Sequence, residues 1–213
     1  MKKVIVIDYG MSNLRSVDKA LEHVAGNHWQ VQISNQAEEI RRADKVVFPG
    51  QGAIGNCMNL LNQTGMAEVI KQSLATKPFL GLCLGLQMLL TRSEESGDTA
   101  GFNWVAGTVR RFTEPLFDPD SGERLKIPHM GWNQVSHVLP HPLWQGIPEQ
   151  SRFYFVHSYF VTPEDRQVTV GTTQYGPIEF TSALAKENVF AVQFHPEKSQ
   201  QAGLTLLKNF LNW

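Results

Sequence analysis

Short unbroken apolar runs alternate along the first part of the chain with stretches where apolar residues recur every three or four positions. Val4-Ile5-Val6-Ile7, Val31-Gln32-Ile33 and Lys45-Val46-Val47-Phe48 are β-branched or aromatic and of strand length. Between the first two, Leu14, Val17, Leu21 and Val24 fall on one helical face, with Ser12 or Asn13 as N-cap. Ala37 to Ala43, Ala53 to Leu61 and Met66 to Leu74 predict further helices. Phe79 to Leu82 reads as a buried strand, and Leu86, Met88, Leu89 and Leu90 suit a helix packed on a sheet. Consecutive rather than alternating apolar positions mark strands covered on both faces. The pattern predicts an α/β fold, a mostly parallel sheet with helices on both faces.

From Trp104 the pattern changes. Val105 to Phe112, Leu125 to Ile127 and Trp132 to Leu139 read as short strands, with a turn-rich hairpin loop over 117–122. We expect an antiparallel flap added to the parallel sheet, with residues 1–213 forming one domain. Phe153 to Tyr159 is an aromatic strand and Val189 to Phe194 an apolar one. The last helix is expected to begin at Lys198-Ser199, with Leu204, Leu207, Phe210 and Leu211 in the core.

The 213 residues suffice for a full core. Nineteen basic and twenty acidic residues leave a net charge of −1, which gives no electrostatic case for nucleic acid or an anionic membrane surface. No apolar stretch reaches membrane-span length, and the run after Lys2-Lys3 stops at Asp8, too early for a signal peptide. Two cysteines, Cys57 and Cys83, argue against a disulfide framework and fit a reduced, cytoplasmic setting.

Cys83 changes the picture. Gly81-Leu82-Cys83-Leu84-Gly85 follows a strand and precedes a helix, the arrangement of a thiol on a nucleophile elbow. A Cβ on either flanking residue would crowd so tight a turn. The amides of the helix's first turn would favour a thiolate, the reactive form. Alone, the segment equally suits a buried structural cysteine. The downstream His195-Pro196-Glu197 tips the balance, because a thiol nucleophile needs a base and the base an orienting carboxylate. Alternation at a strand end would point His195 and Glu197 the same way. Pro49-Gly50-Gln51-Gly52 suits a loop of free main-chain amides, and equally an ordinary glycine-rich turn. Gln87 lies one turn beyond Cys83. Cys57 reads as packing, Glu95 as a solvated acid, and Lys198 as a solvated lysine. His129, His137, His141 and His157 lack zinc-ligand spacing, so neither metal nor other cofactor is expected.

Gly-Leu-Cys-Leu-Gly-Leu-Gln with Gln-Phe-His-Pro-Glu resembles the class I, triad-type glutamine amidotransferases. Blocks from one end of the chain to the other resemble the glutaminase subunits of imidazole glycerol phosphate synthase in histidine biosynthesis. Among them are Asp8 to Leu14, Pro49 to Ala53, Arg92 to Ser96, Pro128 to Asn133, Tyr154 to Tyr159 and His195 to Ser199. The resemblance implies a flavodoxin-like sheet and Cys83, His195 and Glu197 as triad. It implies the Gln51 and Leu84 amides as oxyanion hole, although the family more usually has valine at Gln51. It places Gly50, Gly52, Gln87, Glu95, Ser158 and Tyr159 around L-glutamine, with Asn13, Tyr154 and Lys198 toward an ammonia passage and a partner. That partner would be a (β/α)8-barrel cyclase in a heterodimer. A paralogue feeding ammonia to a nucleotide-sugar pathway would share every catalytic residue. A stand-alone thiol hydrolase or a non-catalytic module on the same fold is the more distant alternative.

Overall fold

The computed structural model describes residues 1–10 and 14–213. The expected N-cap and Asn13 lie outside the described residues. Its first half is the predicted alternation: β1 Lys2–Ile7, α1 Leu14–Ala25, β2 Trp29–Ser34, α2 Ala37–Arg42, β3 Lys45–Gly50, α3 Ile54–Gln63, α4 Met66–Thr76, β4 Phe79–Cys83 and α5 Leu84–Gln87. Strands then dominate: β5 Leu90–Ser93, β6 Thr99–Ala100, β7 Val105–Arg111, β8 Leu116–Phe117, β9 Arg124–Leu125, β10 His129–Gln134 and β11 Ser136–His137. After them come β12 Arg152–His157, β13 Tyr159–Pro163, β14 Thr169–Tyr175, β15 Ile178–Lys186, β16 Val189–Val192 and α6 Gln200–Asn212.

Among the described residues the main sheet has 12 strands in the path β2-β1-β3-β4-β16-β15-β13-β7-β5-β6, with β14 beside β15 and β11 beside β14. From β2 to β16 neighbours run parallel. Strand alternation feeds two cores. Val4, Val6, Val47, Leu80 and Leu82 point toward α1 and α6, while Ile5, Ile7, Val46, Phe48 and Phe79 point toward α2, α3 and α4. Burial on both faces is why the runs lack polar alternation.

Two expectations need correction. The helix after Cys83 stops at Gln87, and Leu90 already pairs with Val105. Met88, Leu89 and Leu90 are fully buried either way, so their apolar spacing cannot separate helix from strand. Arg92 and Ser93 belong to β5, and Ser93 is buried. The expected antiparallel strands are present, and β15, β13 and β7 continue the main sheet. Only β8–β9 and β10–β12 form separate ladders among the described residues. The last helix begins at Gln200, after a single 3-10 turn over Pro196–Lys198.

The junction of β4 and α5 is packed without slack. A Cβ at Gly85 would come within 2.2 Å of the Phe48 carbonyl oxygen, and one at Gly81 within 2.9 Å of the Gly85 carbonyl oxygen. Both obstacles are backbone. We expect Gly85→Ala to lower stability by about 1–3 kcal/mol, read as a shift of the denaturant midpoint, and to displace the turn carrying Cys83.

Several histidines sit inside the aromatic core. His129 stacks on Phe155, and His157 lies against Phe112 and Phe180. Burial lowers the His129 and His141 imidazoles to about 4. Burial, then the charge His129 would carry, lowers His157 to about 3. Each is neutral when folded and takes up protons more readily when unfolded, so its contribution is present above the unfolded value near 6.5 and lost as pH falls toward 4 and 3. Melting temperatures should therefore drop across that window. His141 accepts the Leu143 N–H as a cap, a role asparagine can fill, so His141→Asn should flatten the slope.

Candidate active site

Cys83 ends β4 with φ 53° and ψ −104°, a conformation L-residues seldom adopt. Such strain persists where surrounding packing holds it. β16 runs parallel beside β4, with Val192 opposite Leu82, so the chain leaving β16 delivers His195 next to the elbow. Loops at the carboxyl ends of parallel strands are where sites form in open α/β sheets.

His195 is held on every side. Its amide donates to the Tyr154 carbonyl at 2.8 Å, and the Ser199 hydroxyl donates to its carbonyl at 2.6 Å. Its Nδ1 donates to Glu197 Oε1 at 2.8 Å, with both side chains almost wholly buried. The pair forms through the 3-10 turn at Pro196, which curls Glu197 back, and not through strand alternation. Nε2 of His195 has no well-aligned partner, yet the Cys83 sulfur lies near enough to act on it as a hydrogen-bonding group. Burial disfavours the imidazolium. The bonds to the Cys83 sulfur and to Glu197, with their charges, outweigh it and raise the group to about 10.

These groups open into a cavity of about 480 Å³. It brings Cys83, Leu84, Gln87 and His195 together with Gln51, Gly52, Glu95, Ser158, Tyr159 and Lys198. Gly50 and Glu197 sit behind it, against a small void shared with His195 and Leu82. Tyr154 does not line the cavity. Its ring lies 5.8 Å from Lys198 Nζ and 6.1 Å from the Trp132 ring, and Trp132 and Met130 are exposed.

Glu95 is not a free surface acid. Its Oε2 accepts the Ile54 N–H at 2.9 Å, supplying the acceptor that Ala53, at the helix N-cap, lacks. Gly55 lets that loop approach, since a Cβ there would meet Ser96 Cβ at 2.8 Å. Cys57 is fully buried, 3.4 Å from the Met88 sulfur, and burial raises its thiol to about 11, far from reactive.

Sequence reasoning gave no role to Pro128, Val156 and His157, which also line the cavity, or to Gln193. The signal for Gln193 was there: it is the only polar residue from Val189 to Phe194, and it is fully buried. A second cavity of about 390 Å³, walled by Arg110, Phe160, Arg166 and Glu179 among others, has no cysteine or histidine on its lining. A thiol, an imidazole and a buried carboxylate in line beside a cavity can perform acyl transfer through a thioester.

The family model for glutamine amidotransferase class-I matches residues 5–213. The chain is 52% identical over 212 residues to the imidazole glycerol phosphate synthase subunit HisH of Hydrogenovibrio crunogenus, covering 100% of this chain and 97% of that one. It is 52% identical over 213 residues to the subunit of the same name from Aromatoleum aromaticum, covering 100% and 99%. A solved glutamine amidotransferase from Thermotoga maritima shares the fold with a TM-score of 0.65 at 17% identity, over 92% of this chain and 76% of that one. With its matched span reaching from β1 to the last residue, the chain belongs to the class-I glutamine amidotransferases.

Proposed function

We propose that this chain, as one domain over 1–213, is the glutaminase subunit of an imidazole glycerol phosphate synthase in histidine biosynthesis. The observation that carries the reading is the buried His195–Glu197 pair beside the strained Cys83, opening into one cavity. Full-length likeness to HisH subunits supports the pathway.

In this mechanism the Cys83 thiolate attacks the side-chain amide carbon of L-glutamine. The backbone amides of Gln51 and Leu84 stabilise the oxyanion, each worth about 3 kcal/mol in comparable sites. His195 gives its proton to the departing ammonia, leaving a γ-glutamyl thioester, and then takes one from the water that cleaves it. Glu197 holds the imidazole in the Nδ1–H tautomer. Glu95 receives the substrate's α-ammonium, and Gln87 with the main chain at Ser158 and Tyr159 frames the rest.

A subunit works with a partner, and we infer a (β/α)8-barrel cyclase. It takes the ammonia to form imidazole glycerol phosphate and aminoimidazole carboxamide ribotide. Exposed Met130 and Trp132, beside Tyr154 and Lys198, supply an apolar docking face near the cavity mouth. Gly50 and Gly52 make the intervening Gln51 peptide easy to turn, and Gly52 already sits at φ 87°. In our reading docking turns that amide into the hole.

Cys83→Ala should lower glutaminase turnover by at least about 10⁴-fold and Glu197→Gln by about 10²–10⁴-fold, while Cys57→Ala stays near wild type. Steady-state glutamate release measures all three. Adding the cyclase and its ligand should raise the rate of the isolated chain by about 10²-fold, the worth of one oxyanion donor. Full turnover without partner would overturn the gating.

A further inference from the structure

Gln193 follows β16 directly, and its Nε2 lies 3.6 Å from the Cys83 sulfur, within reach for an N–H donated to sulfur. Neighbouring groups decide which end of the amide faces the thiol. The Tyr159 carbonyl can only accept. Gln87 must therefore present its NH₂ there, at 3.1 Å, and the same nitrogen reaches Gln193 Oε1 at 3.1 Å. With its oxygen engaged, Gln193 turns its donor to Cys83.

A second branch fixes the same carbonyl. His157 Nδ1 donates to it at 2.8 Å, which leaves His157 Nε2 as acceptor. His129 Nδ1 then donates to that nitrogen at 2.9 Å, and His129 Nε2 accepts from Asn133 Nδ2 at 3.2 Å. Asn133 Nδ2 also donates to the Gln174 carbonyl at 2.8 Å. Each of these bonds has a consistent donor and acceptor, and burial keeps both rings neutral.

We propose that Gln193 is a further catalytic residue, an amide donor that stabilises the Cys83 thiolate and is oriented by the Gln87, Tyr159, His157 and His129 chain. The proposal rests on Cys83 being the nucleophile. An N–H bond to an ionised acceptor is roughly twice as strong as one to a neutral acceptor, and a thiol accepts weakly, so this contact favours the thiolate. The ionisable groups around the sulfur are His195 backed by Glu197, Glu95 and Lys198 on the cavity wall, and His157 from β12. Glu95 and Glu197 oppose a thiolate, and His195 and Lys198 favour it. Gln193 adds stabilisation without a charge, and without a proton that competes with transfer from His195.

The test is the rate of Cys83 alkylation by iodoacetamide from about pH 5 to about pH 10, spanning ordinary imidazole and thiol ionisation. Peptide mass mapping locates the label in the full chain and in Gln193→Met and Gln193→Glu. For Gln193→Met we expect about tenfold slower alkylation at neutral pH and a midpoint about one unit higher, with the alkaline plateau unchanged. Gln193→Glu, which cannot donate when ionised, should shift further. A methionine profile superimposed on that of the wild type overturns the proposal. In the wild type the Gln193 side-chain amide resonances should move with pH at the alkylation midpoint, and amide signals that stay fixed also overturn it. If wild-type Cys83 takes no label at any pH, the nucleophile assignment itself fails, a different outcome from either.

Discussion

The site depends on the parallel pairing of β4 with β16. Four residues of each strand lie in register, Phe79 to Leu82 against Val189 to Val192. Neighbouring strands stand about 4.8 Å apart, so whatever follows each strand emerges beside the other. β3 lies on the far side of β4, with Gly50 opposite Cys83. Three adjacent strand tips thus bring together the glycine loop, the Cys83 thiol and the His195 imidazole. A slip of one residue would exchange the two faces of the strand, and both faces are packed, so the two cores hold the register that holds the site.

Around that frame, polar groups are held by partners distant in the chain. Glu95 is tied to the start of α3, His195 to the carbonyl of Tyr154, and Gln193 to Gln87. Each bond ties a residue of the cavity wall to the surrounding packing. The carboxylate that completes α3 also forms part of the cavity wall, and the hydroxyl of Ser199 bridges the Tyr154 amide and the His195 carbonyl. Side chains locked this way keep their geometry without being reordered when substrate arrives. A carboxylate and a sulfur both favour the His195 imidazolium and oppose the cost of burying it.

The parallel half of the fold was legible because its strands are buried on both faces and its helices are amphipathic, two patterns that differ sharply. The elbow was legible because its glycines answer a local steric demand. The short α5 was not, since a fully buried leucine run satisfies either conformation until β7 offers β5 its hydrogen bonds. The role of Glu95 was hidden as well: a carboxylate beside another acid reads as solvated, and its helix begins 41 residues away.

What the sequence by itself determined were the groups and their local stiffness: a cysteine between glycines, a histidine and a glutamate joined by proline, and apolar runs that must form strands. Only the tertiary structure decided which of these groups meet. It set Gln193 on the sulfur, curled Glu197 behind His195, and made the antiparallel strands part of the main sheet. The reason is physical. Covalent neighbours dictate local geometry, whereas the direction of a hydrogen bond between distant side chains depends on acceptors the chain acquires only by folding.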